Sequence, residues 1–89
     1  MKKIKVEAVV ESAEEVCIQH LKPLKLNCNL YWIRDSIRAY CRSGDNYVLN
    51  VLRFLAETLW FNGHIFDGDC IRDLVKDIVS AKRSGLIEE

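Results

Sequence analysis

Cys17 and His20 stand at i and i+3, a spacing that puts two side chains on one face of a helix, as half of a metal site would require. A tetrahedral zinc site needs two further ligands, to be drawn from Cys28, Cys41, His64 and Cys70. None of these forms a second close pair with the spacing zinc modules use. Cys17 and His20 also fall on an apolar stripe, which favours a buried thiol beside a histidine at the edge of the core. A thiol–imidazole nucleophile pair is no better supported, because four Cys and two His bring those types together by chance. Asp67, Gly68, Asp69 and Asp73 suggest calcium. A loop counted from Asp67, however, puts Ile71, Val75 and Ile78 at its fifth, ninth and twelfth positions, and the twelfth calls for a bidentate Glu. A helix start explains these aspartates better. With no glycine-rich phosphate loop, paired catalytic carboxylates or serine nucleophile motif, neither an enzyme nor a metal or cofactor is expected.

The least generic polar feature is Arg34, Arg38 and Arg42, a row at i, i+4 and i+8 with Tyr31 one turn ahead. Such a row forks onto phosphates or the carboxylates of an acidic partner, or it is a solvated helix face. DNA reading by a helix-turn-helix around Asn62-Gly63 is not favoured, because the second helix would carry Asp67, Asp69, Asp73 and Asp77, which repel phosphate. Trp60 and Phe61 are adjacent and therefore point about 100° apart on a helix. One can fill the core while the other marks an interface, unless the N-terminal segment covers both.

Positioning these residues falls to a single domain of 89 residues, with 13 Lys plus Arg against 13 Asp plus Glu. A zero net charge argues against a general nucleic-acid coat or a polybasic membrane binder. No apolar run approaches the roughly 18 residues of a bilayer span. Lys2, Lys3 and Lys5 resemble a signal-peptide start, but Glu7 and Glu11 interrupt the apolar stretch that would follow. A cytoplasmic setting with free thiols is expected.

Three helices are legible. In the first, Leu30, Ile33, Ile37 and Tyr40 recur at helical spacing between Asn29, a possible N-cap, and Gly44, a left-handed stop. The next starts at Asp45 and is apolar around most of its circumference, leaving Asn50, Arg53 and Glu57 as a polar strip before Asn62-Gly63. In the last, Asp67 is the expected cap and Phe66 is expected to staple onto Ile71. Its core stripe is Ile71, Leu74, Val75, Ile78 and Val79, and Lys82, Arg83 and Gly85 close it.

Residues 1–30 admit two assignments. In one, a single long helix carries Val6, Val9, Val10, Ala13, Val16, Cys17, His20 and Leu21 on a stripe ended by Pro23. In the other, which is favoured, alternation in 3–10 and in 24–30 gives two strands flanking a short helix that opens on a Ser12–Glu15 capping box. The expected architecture is helix-dominated α+β, a strand-helix-strand followed by three packed helices, with a four-helix all-α domain as the alternative. The functional expectation is a cytoplasmic, non-enzymatic protein-interaction module, such as a small regulator, inhibitor or immunity-type protein. It would self-associate or bind a protein partner through Trp60 or Phe61, with Arg34, Arg38 and Arg42 at the rim. The alternative is an accessory protein contacting phosphate or nucleic acid through the arginine row.

Overall fold

The computed structural model describes residues 3–24 and 30–88. Helices dominate: α1 (Val6–Leu21) with a 3-10 turn (Lys22–Leu24), α2 (Leu30–Ser43), α3 (Tyr47–Phe61) and α4 (Ile65–Arg83). Two-residue strands, β1 (Ile4–Lys5) and β2 (Ile87–Glu88), pair in parallel and tie the two ends of the described chain together, with the Ile4 amide donating to the Leu86 carbonyl at 2.7 Å.

The N-terminal segment departs from the favoured assignment. Helix begins at Val6, so the expected first strand is cut to Ile4–Lys5, and Ser12 and Glu15 lie inside α1 rather than at its start. The buried residues of α1, Val6, Val10, Ala13, Cys17, His20 and Leu21, follow helical spacing along one stripe. That stripe packs against both α2 and α4, while the helix satisfies its own backbone hydrogen bonds, which an extended segment without a long partner strand cannot do. Of the expected second strand, Leu24 lies in the 3-10 turn and Leu30 opens α2; residues 25–29 lie outside the described residues, as does the Asn29 cap. The strand that pairs with β1 comes from the other end of the chain.

Each helix packs on its neighbour in sequence, and α1 closes the ring against α4. Side-chain pairs fix three orientations. Glu7 meets Arg38 and Glu14 meets Arg34, so α1 and α2 run antiparallel. His20 meets Asp67 while Ile4 and Ala8 share a cleft with Ala81, so α1 and α4 are antiparallel as well. Trp60 meets Asp69 across the short Asn62–His64 connection, making α3 and α4 a helical hairpin. The core is apolar and closely fitted: Val10, Ile33, Ile37, Leu52 and Ile71 are all within 1% of complete burial.

The helix ends follow local chemistry. Gly44 and Gly63 hold positive φ angles of 79° and 84°, the left-handed geometry that stops α2 and α3. The Asp45 carboxylate accepts the Tyr47 amide hydrogen bond at 3.1 Å, organising the entry to α3. Lys82 donates to the Cys41 carbonyl at 3.0 Å and lies over the Tyr40 ring, so a cation from α4 satisfies the C-terminal turn of α2. At α4, helix begins two residues before the expected cap, leaving Asp67 in the first turn. Phe66 is 73% exposed and stands edge-on to His20, so no staple to Ile71 forms. Asp67 is instead turned toward His20.

Candidate interaction surfaces

The arginine row is built into the α1–α2 contact. Arg38 holds Glu7 with a two-pronged grip, Nε donating to Oε2 at 2.7 Å and Nη2 to Oε1 at 2.8 Å, while Nη1 donates to Asp35 at 2.9 Å. Arg34 sits 3.2 Å from Glu14. This grip holds the Glu7 carboxyl below its ordinary range and raises Arg38 in turn. Arg42, exposed near the end of α2, adds a weaker field that also lowers Glu7. Arg34 and Arg38 are thus already engaged by carboxylates of the same chain. The partners, Glu7 and Glu14, come from a helix that the favoured sequence assignment partly replaced by a strand, which is why the pairing was not visible in the sequence.

Cys17 is the buried thiol, and His20 the histidine at the edge of the core, that the apolar stripe implies. Cys17 is 1% exposed and His20 9%. The His20 Nδ1 lies 2.8 Å from Asp67 Oδ1; an ionised carboxylate only accepts, so Nδ1 carries the hydrogen. Cys70 shares a cleft of about 390 Å³ with His20, Ser12, Asp73 and Asp77. Desolvation, followed by the fields of Asp67, Asp73 and Asp69, pushes the Cys70 thiol up, and burial does the same to Cys41. These surroundings disfavour the thiolate that nucleophilic chemistry needs. Among the described residues no three His, Cys, Asp or Glu side chains are placed to hold a metal ion.

Trp60 and Phe61 diverge as helix geometry requires, but neither enters the core. Trp60 is half-buried at the α3–α4 boundary, where its Nε1 donates to Asp69 Oδ1 at 3.1 Å and Arg72 lies over the ring at 5.2 Å. Gly68 makes this possible: a Cβ there would fall on the indole, 2.6 Å from Nε1. Phe61 is 90% exposed. The N-terminal segment covers neither ring, because α1 packs on α2 and α4.

Phe61 is also not isolated. Tyr47, Phe54 and Phe61 recur every seven residues, with half-buried Val51 and Thr58 between them, so one side of α3 carries a seam of the kind that faces a partner helix. Tyr47 and Phe54 are 60% and 68% exposed. The edge of Trp32 on α2 meets the Tyr47 ring at 5.6 Å and extends the aromatic surface. Together the three α3 rings leave roughly 400 Å² of apolar area uncovered, about half of what one partner contributes to a standard interface. The sequence marks this helix as broadly apolar but not which third of its circumference stays bare. That is decided by where α2 and α4 lie.

No family model, curated protein or solved structure matches this chain. No helix among the described residues is long and apolar enough to cross a membrane.

Proposed function

We propose that this protein is a non-catalytic interaction module, a small regulator, inhibitor or immunity-type protein of the cytoplasm, that pairs through the Tyr47–Phe54–Phe61 face of α3 with a second copy of itself. The observation that carries this reading is the 90% exposure of Phe61 at the end of a heptad-spaced aromatic seam. An uncovered seam of this kind is a cost in water that helix-on-helix pairing removes. The seam is polar at its flank, with Asn50 and Glu57 exposed beside it, as an interface rim requires. The alternative of phosphate or nucleic-acid contact through the arginine row draws little support, because Arg38 already spends its donors on Glu7 and Asp35 and Arg34 is ion-paired with Glu14.

Sedimentation equilibrium over micromolar to millimolar concentration tests the proposal. The wild-type protein is expected to associate reversibly, and Phe54→Asp with Phe61→Asp to remain monomeric with unchanged helical signal. A wild-type protein that stays monomeric over the whole range would refute self-pairing through this face.

A further inference from the structure

A second surface lies on the other flank of α3, beyond Glu57. There α3 and α4 enclose an open cleft of about 660 Å³, floored by Ala56, Val75 and Val79 and closed at one end by Trp60. Arg53 of α3 and Arg72, Lys76 and Arg83 of α4 line it, against the single carboxylate of Glu57. On α4 the spacing is i, i+4 and i+11, with Val79 at i+7, so cations and apolar floor share one face of the helix.

These cations differ in kind from the arginine row. Arg34 and Arg38 are neutralised by carboxylates of α1, whereas the ion pairs of the described residues include none made by Arg53, Arg72, Lys76 or Arg83. In a chain whose net charge is zero, uncompensated positive charge has gathered along one cleft with an apolar floor.

We infer that this cleft is a docking groove for an acidic amphipathic helix of a partner protein, distinct from the aromatic face of α3. The shape and the distribution of charge select that occupant. From Arg72 to Ser84 the groove runs about 18 Å at the helical rise, the length of roughly three helical turns. Its cations are strung along that length, one every turn or two, and do not converge on a point as a bound phosphate group requires. An incoming helix with apolar residues on one face meets the Ala56–Val75–Val79 floor, and carboxylates at its flanks meet the cations. A nucleic-acid backbone fits poorly. Asp69, Asp73 and Asp77 are exposed on α4, some 60–140° around from Arg72, and a wide phosphate lattice would be brought against them. Arg72 already lies over the Trp60 ring, and Trp60 Nε1 donates to Asp69, so the closed end of the groove is set before a partner arrives.

The test uses a 14-residue, end-capped peptide with Leu at helical core spacing and Glu elsewhere, a counterpart with Lys for Glu, and a 12-nucleotide single-stranded DNA. Fluorescence anisotropy of the labelled probes at low salt measures binding. The acidic peptide is expected to bind, to weaken as salt rises, and to lose at least tenfold in affinity in Arg53→Gln with Lys76→Gln, a pair of exposed changes that leaves the helical signal intact. The Lys peptide is expected not to bind, and the DNA to bind at least tenfold more weakly than the acidic peptide. Phe61→Asp separates the two surfaces: it removes self-pairing but is expected to leave peptide binding unchanged. Equal binding of the acidic and Lys peptides, tighter binding of DNA, indifference to the Arg53/Lys76 change, or loss of binding in Phe61→Asp would each overturn the groove.

Discussion

Replacing Gly68 by Ala is expected to destabilise the protein, although the residue lies within a helix, where alanine is normally the better choice by about 0.8–1 kcal/mol. The added Cβ would fall on the Trp60 ring and lie 2.8 Å from the Ala56 carbonyl oxygen, whereas ordinary contact begins at 3.4 Å. The ring has some freedom to swing away, at the cost of its hydrogen bond to Asp69 and its stacking with Arg72. The carbonyl is backbone, so α3 and α4 must part by roughly half an ångström along their shared seam, and close-packed interiors resist such shifts. Overpacking of this kind costs about 1–3 kcal/mol. Set against the gain in helix propensity, the net loss is about 0–2 kcal/mol, at most roughly 15 °C in Tm for a domain of this size. Thermal unfolding followed by far-ultraviolet circular dichroism measures it. In a Trp60→Ala background the ring conflict is gone and only the carbonyl conflict remains, so the same Gly68→Ala change should cost less there. If Gly68→Ala raises Tm in the wild-type background, or costs as much without the indole as with it, the close approach of Trp60 to α4 is wrong.

Removing the Asp67 carboxylate with Asp67→Ala leaves the buried His20 Nδ1 without its partner and should cost about 1–3 kcal/mol in urea unfolding; no measurable loss would show that the 2.8 Å contact is not made in solution. Ile71→Ala empties a fully buried position between helices and should cost about 2–5 kcal/mol by the same assay, with a smaller effect indicating that α4 is not packed as described. Glu7 titrates below its ordinary 4.5 in the folded protein because of the Arg38 grip. Its contribution is therefore fully present above the unfolded-state value and is lost as pH falls through the lower folded-state value. Wild-type protein should lose more stability than Glu7→Gln on acidification through that window, and identical acid limbs in urea midpoints would contradict the pairing.

Much of the architecture could be read directly from residue spacing. Leu30 through Tyr40, the apolar run from Val48 to Phe61 and the stripe from Ile71 to Val79 each repeat at helical period and are each followed by a glycine, Gly44, Gly63 and Gly85, suited to a left-handed stop, and α2, α3 and α4 appear there. Patterns of this kind are local, because helical hydrogen bonds and stops involve residues a few positions apart. The α1 segment satisfied both a period of two and a period of 3.6, and nothing within it could choose. The choice came from α2 and α4, which offer one apolar surface to a helix stripe, and from β2, which reaches β1 from the far end of the chain. The same holds for the surfaces. The sequence showed three arginines in a row and two adjacent aromatics, but it could not show that Arg34 and Arg38 would find carboxylates on α1. Nor could it show that Arg53, Arg72, Lys76 and Arg83 would gather around one cleft, or that Gly68 would be required because Trp60 lies against it. Which charges are neutralised and which rings stay bare depend on contacts between residues tens of positions apart, and only packing the helices together decides those.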